Sequence, residues 1–237
     1  MCSRSWLMKK TRIAKPDARV LICVPSGSDW KADFGMSLAA LVAASGEVPQ
    51  NYRSMSVAIQ NTKGSILPQL RTKLVLKALE MDATHVLFVD SDMTFPSWLL
   101  QRMMEHDVDV VAMNCVTKSL TPGPTARFEG PTKAGIPMYH EDYDAESPDL
   151  VPVWRIGTGV MLIKTSVFGK IEKPWFPITQ DGDEIVGEDW GFCQKCEEKG
   201  IPLYVDVIAS PYIGHVGALE FRAEMVQKNL QVNHPKT

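Results

Sequence analysis

Short, unbroken apolar runs alternate along this chain with stretches in which apolar residues recur every three or four positions. The first run, RVLICVP, is ended by Pro25 and the turn-forming SGSD, a pattern that predicts a buried strand with a loop at its C-terminal end. DFGMSLAALVAASG follows with an acidic start and a glycine stop, which predicts a helix. An extended piece, NYRSMSVA, precedes a second predicted helix in which Leu67, Leu70, Leu74, Ala78 and Met81 share one face, leaving Arg71 and Lys73 off the apolar stripe. Next come HVLFVD as a strand, PSWLLQRMMEHD as a helix begun by Pro96, and VDVVAMNC as another strand. This alternation predicts parallel strands joined by helical crossovers.

The pattern changes over residues 120–150, which are rich in Pro and Gly and lack periodicity, so loops and short edge strands covering a site are expected. VPVWRIGTGVMLIK returns to strand, and EDWGFCQKCEEKG reads as a helix with acids at its start and glycine at its end. ALEFRAEMVQKNLQ predicts a surface or docking helix. At 237 residues and 45% hydrophobic composition the chain can bury one sizeable core, so a single domain is expected. The expected boundaries divide the chain into an N-terminal arm at 1–18, the domain itself at 19–217 and a C-terminal helix or tail at 218–237.

A formal charge of −3 supplies no global basic field for nucleic acid or an anionic membrane. The five cysteines (Cys2, Cys23, Cys115, Cys193, Cys196) are sparse and odd in number, and two lie in apolar runs, which favours a reducing compartment. CQKC has metal or redox spacing but no second CxxC to complete a zinc site, so it reads as structural. The basic start lacks the apolar core of a secretory signal, and no segment approaches the ~20 apolar residues of a membrane span. A soluble, cytoplasmic protein is expected.

The chemistry concentrates at HVLFVDSDMTFP, where a core strand stops at two aspartates one residue apart. In an open parallel sheet ligands sit beyond the carboxyl ends of the strands, which puts Asp90, Ser91 and Asp92 at a binding edge. Alternation in extended backbone points both carboxylates the same way. Two chemistries fit: a metal held against a diphosphate, and a nucleophilic aspartate with an acid/base partner two residues on. A solvated acidic turn before Pro96 is the alternative without function.

LFVDSDM resembles the D-x-D motif of GT-A glycosyltransferases, and GEDWGF resembles the E-D motif of inverting, family 2-like members. The resemblance implies an α/β, GT-A-like (nucleotide-diphospho-sugar transferase) domain: a mostly parallel central sheet flanked by helices, with a smaller antiparallel, loop-rich acceptor side. It implies Asp90 toward the ribose or metal, Asp92 as direct metal ligand, Asp189 as the base that takes the acceptor hydroxyl proton, and Glu188 as a group that positions the acceptor. YIGHVG supplies His215, in the order in which many such enzymes place a C-terminal histidine on the metal, so Asp90, Asp92 and His215 form the implied shell for Mn²⁺ or Mg²⁺. VLICVPSGS resembles the strand whose end cradles the nucleoside, which makes Pro25 and Ser26 base or ribose contacts. Arg71 matches the arginine of a segment that commonly reads ARN, although Thr72 stands where asparagine is frequent. In RIGTGVMLI, Gly157 and Gly159 would admit a sugar ring against the backbone, whereas a tight turn or bulge is the plainer explanation. The resemblance spans about residues 19 to 216, and the order of its motifs is more specific than any one of them.

The expected activity is transfer of a sugar from a nucleoside diphosphate donor, with UDP the expected nucleotide, to a hydroxyl acceptor. A glycan, a small molecule, a protein and a hydroxymethylated nucleic-acid base all remain open as acceptor. LFVDSDMT also satisfies the D-x-D-x-T motif of haloacid-dehalogenase-like phosphatases, in which Asp90 would attack a phosphate and Asp92 would act as acid/base. That family carries the motif on its first strand; here two β/α units come first. A non-catalytic nucleotide-sugar-binding module is the third possibility.

Overall fold

The computed structural model describes residues 14–119, 121–127, 148–217 and 220–222. A seven-stranded sheet in the order β2-β1-β3-β7-β5-β10-β6 forms its centre. The strands are β1 (Asp17–Ser26), β2 (Ser54–Lys63), β3 (His85–Val89), β5 (Val110–Ala112), β6 (Leu150–Val153), β7 (Val160–Lys164) and β10 (Leu203–Asp206). Each face is covered by helices, as the sequence pattern predicts. On β1, Ala18, Val20, Ile22 and Val24 pack with α1 (Ala32–Ala44) and α3 (Leu99–Glu105). Leu21 and Cys23 point to the other side, where α2 (Leu67–Glu80), α4 (Val167–Lys170) and α5 (Glu188–Glu198) close the second core. A strand buried on both faces reads as a continuous apolar run, which is why RVLICVP and HVLFV stand out.

Two departures from the expected order matter for the site. The stretch expected as one strand at 151–164 forms two: β6, antiparallel to β10 at the sheet edge, and β7, antiparallel to both β3 and β5. Thus β1, β2, β3, β5 and β10 run one way and β6 and β7 the other. The sheet is mostly parallel, as expected, but not wholly so. Lying between β3 and β5 in the sheet, β7 is antiparallel to both, so its start meets their C-terminal ends. Consequently Gly159, just before β7, lies level with the end of β3, and the Asp90 amide donates to its carbonyl at 2.9 Å.

The second departure is at the C-terminal end. Where a helix is expected from residue 218, Glu220–Phe221 form a short strand, β12, paired with β11 (Gly214–Val216). β11 in turn pairs antiparallel with β4 (Met93–Thr94), so His215 lies opposite Met93. The rest of the expected C-terminal helix, residues 1–13 of the N-terminal arm and most of the 120–150 segment lie outside the described residues. Among the described residues no helix is long and apolar enough to cross a membrane. Cys23, Cys115, Cys193 and Cys196 are all buried free thiols, with Cys193 and Cys196 inside the second core.

α5 matters most for the site because Glu188 and Asp189 are its first two residues. Gly200, with φ of +65°, ends it, and the Ile201 amide donates to the Cys196 carbonyl at 2.9 Å, a C-terminal cap that glycine admits without strain. α5 is held close to the chain before the β8–β9 hairpin (Thr179–Asp181 and Glu184–Val186): a Cβ on Gly191 would come 1.9 Å from the Pro177 carbonyl oxygen. Gly191→Ala is therefore expected to lower stability by about 3 kcal/mol, the upper end of overpacking costs, and a urea denaturation midpoint checks this.

Candidate functional site

At the C-terminal end of β3 the chain leaves the core, and Asp90 and Asp92 each meet a cation supplied by another element. α2 provides the first. Arg71 is 1% exposed, on the same helix face as Leu74, Val75 and Ala78, rather than in solvent off the apolar stripe. Its guanidinium lies 5.3 Å from the centre of the Phe88 ring. Nη2 donates to Asp90 at 3.1 Å, and Nε donates to Glu188 at 3.4 Å, so one buried cation ties the end of β3 to the start of α5. Arg71 Nη1 is buried without a hydrogen-bond partner among the described residues, leaving a spare donor at this junction.

The loop after β5 provides the second cation. Lys118 Nζ is ion-paired with Asp92 Oδ2, while His215 Nε2 lies 3.5 Å from Asp92 Oδ1. β11 carries the histidine there, because its pairing with β4 and the Val216 amide bonded to the Asp92 carbonyl at 2.7 Å fix the two segments side by side. His215 Nδ1 is 2.8 Å from the Val116 carbonyl oxygen, which can only accept, so Nδ1 carries the proton. Nε2, the other ring nitrogen, faces the Asp92 carboxylate: it donates there when it carries a proton and offers a lone pair to a metal when it does not.

The electrostatics differ across the three acids. Burial pushes the Asp90 carboxyl above its ordinary value, with Arg71 pulling the other way and the neighbouring Asp92 charge adding to the rise. Burial also opposes charge on Asp92, yet hydrogen bonds from His215 and Lys118 hold its carboxyl at about 2. Asp189 is raised, first by burial and then by the charge of Glu188, while the Trp190 amide bonded to its Oδ1 at 2.8 Å works against the rise. A carboxylate that is raised and set beside a binding edge has the character of a proton acceptor.

The remaining residues nominated from the sequence fall around this centre with less direct geometry. Pro25 and Ser26 are buried at the end of β1, and Ser26 Oγ accepts from Asn61 Nδ2 at 2.8 Å. A cavity of about 390 Å³ lined by Gly27, Ser28, Lys63, Gly64 and Ser65 opens just beyond them. Ser91 contributes its carbonyl to the Lys31 amide at 3.2 Å. A Cβ on Gly159 would meet Cys115 Sγ and Met93 Sδ at 3.6 Å and Asp90 Oδ2 at 3.7 Å, so this glycine is packed beside the acidic centre. Gly157 differs: its Cβ would press on Thr125 at 3.2 Å, so its missing side chain serves packing. A cavity of about 520 Å³ beside Tyr52 and His85 lies at the opposite end of β1 and β3, remote from these acids.

Lys118 and Asn61 escaped the sequence reading. Lys118 could have been found by the rule that exposed Asp90, since it lies shortly past the end of another strand of the sheet. Asn61 is on β2 and reaches Ser26 only through the parallel register of β1 with β2.

Among the described residues no group of three or more His, Cys, Asp or Glu side chains gathers to hold a metal ion. Asp92 and His215 form a pair, and Asp90 is engaged by Arg71 rather than facing the same point. The pair still fits a divalent cation in one respect: an imidazole nitrogen and a carboxylate oxygen, two ordinary ligands of such ions, face one another at 3.5 Å. One or two protein ligands completed by substrate phosphate oxygens are an ordinary Mg²⁺ or Mn²⁺ arrangement.

The Anp1 family model matches residues 42–147, a span of less than half the chain that includes Arg71, Asp90, Asp92 and Lys118 and stops before Asp189 and His215. No curated protein matches the chain. Among solved structures, A197 from STIV superposes with a TM-score of 0.58 at 19% identity, covering 87% of this chain and 91% of that one. The structural likeness shows the fold, a GT-A-like α/β single domain built on a mostly parallel sheet.

Proposed function

We propose that this chain transfers a sugar from a nucleoside diphosphate to a hydroxyl acceptor, with Asp92 and His215 as its metal ligands and Asp189 as its base. The observation that carries this reading is the joining of distant segments at one sheet edge: Arg71 links Asp90 to Glu188, and β11 sets His215 against Asp92. The family match over residues 42–147 supports the transferase class. A divalent cation bound at the Asp92–His215 pair would neutralise charge growing on the departing diphosphate.

The chain's own residues supply the rest. Ser26 and the cavity beyond it receive the nucleoside, with Pro25 as a wall and Ser91 on the opposite lip. Arg71 holds Asp90 in place for the ribose or the metal and keeps a spare N–H at the junction. Gly159 lets the backbone lie close beside Asp90, where the donor sugar would sit. Glu188 positions the acceptor, and Asp189 takes the proton from its hydroxyl as the oxygen attacks the anomeric carbon from the face opposite the diphosphate, which inverts configuration. The engagement of Asp90 by Arg71 weighs against the phosphatase reading, because a nucleophilic carboxylate would first have to give up that ion pair.

A panel of nucleoside diphosphates and their sugars, screened by thermal shift with and without Mn²⁺, tests the proposal. UDP-sugars come first, and mannosyl donors are included because the Anp1 family is one of mannosyltransferases. One nucleotide class should raise Tm only when Mn²⁺ is present, and its sugar should be consumed when hydroxyl acceptors are added. Metal-dependent release of phosphate from simple phosphate esters, with no response to any nucleotide sugar, would favour the phosphatase instead.

A further inference from the structure

We infer that Lys118 is a built-in competitor for the divalent cation: its ammonium occupies Asp92 Oδ2 and must leave before a metal can bind there. The inference rests on the proposed metal role of Asp92 and His215. Lys118 Nζ is seated on Asp92 Oδ2, the carboxylate whose other oxygen faces His215 Nε2 at 3.5 Å. The lysine is anchored by the same loop that anchors the histidine, because the Val116 carbonyl two residues earlier accepts the His215 Nδ1 proton. Further along, the Thr117 amide bonds to the Gly123 carbonyl at 2.9 Å and the Gly123 amide to Thr117 Oγ1 at 3.0 Å, so the backbone on either side of Lys118 is tied down. The lysine side chain is 35% exposed and can move without disturbing the core.

Charge accounting explains why such a group is useful. Asp90 is compensated by Arg71, whose side chain is buried and fixed, whereas Asp92 is compensated by a partly exposed lysine with a flexible stem. Of the two adjacent carboxylates, one therefore has a permanent counter-ion and the other an exchangeable one. A metal approaching without nucleotide must displace a unit positive charge from its ligand, which weakens metal binding. Lys118 thus limits loading by the metal alone and favours its entry together with a diphosphate, whose oxygens complete the shell.

The test is Mn²⁺ binding to the nucleotide-free protein, read by isothermal titration or from the electron paramagnetic resonance signal of free Mn²⁺. Lys118→Met should tighten Mn²⁺ binding about tenfold, whereas Lys118→Arg, which keeps the charge, should stay close to wild type. Thermal melting of each variant verifies that it is folded. Equal Mn²⁺ affinity in wild type and Lys118→Met, or weaker affinity in the variant, overturns the inference while leaving the metal site standing. If neither wild type nor Lys118→Met binds Mn²⁺, the metal-site reading itself fails, and the inference with it.

Discussion

Asp92→Asn is expected to abolish metal-dependent sugar transfer, with a loss of at least about a thousandfold in kcat/KM at saturating Mn²⁺. The amide keeps the size of the side chain but removes the charge that both Lys118 and His215 face. The folding consequence is separable. The Asp92 carboxyl is held at about 2, below its ordinary 3.8, so it contributes stability that is fully present above the ordinary value and is lost as pH falls through about 2. At neutral pH the variant therefore forfeits a stabilising interaction, but the pair is roughly one-third exposed, so solvent screening limits the loss to about 1 kcal/mol. Kinetics and thermal melting together should show a large catalytic defect in a folded protein. An Asp92→Asn variant that retained Mn²⁺-dependent turnover would remove the metal role from this residue.

Asp189→Asn carries the other large effect and the opposite sign in stability. As the base, Asp189 must be ionised, and its carboxyl is raised by burial and by the charge of Glu188. A native carboxyl raised above its unfolded value binds protons more readily than the unfolded chain, so ionising it costs stability as pH rises through that window. At neutral pH, replacement by Asn relieves this cost while its side-chain oxygen can still accept the Trp190 amide. The expected outcome is a fall in transfer of about a thousandfold or more, with Tm unchanged or higher and nucleotide binding nearly intact. The pH profile gives an independent check: wild-type transfer should decline on the acid side around a value above the ordinary aspartate range, and that limb should vanish from the residual activity of the variant. Wild-type transfer by Asp189→Asn would mean that another group takes the proton.

Much of this arrangement was legible because the central strands are buried on both faces. An apolar run such as HVLFV has no amphipathic ambiguity, and its abrupt end at Asp90 marks the sheet edge where ligands bind. The direction of β7 was not legible, since a short apolar strand looks the same whichever way it runs; only its pairing with β3 and β5 fixes it. Arg71 was misplaced for a related reason. Counting apolar residues along α2 treats every charge as solvated, but this guanidinium lies among core side chains because Asp90 and Glu188 compensate it there. The Asp92–His215 contact depends on the pairing of β4 with β11, two very short strands that leave almost no periodicity to read. Lys118 belongs to the same class of signal, a charge on a loop whose position is set by the sheet rather than by its neighbours in sequence.

The most direct test asks what lies next to the metal. Electron spin-echo spectroscopy on the protein with Mn²⁺ and the nucleoside diphosphate that stabilises it should reveal coupling to an imidazole nitrogen. That coupling should be lost in His215→Gln while Mn²⁺ is still carried in by the nucleotide. Absence of nitrogen coupling in the wild-type complex, or its persistence in His215→Gln, would contradict the placement of the cation between Asp92 and His215.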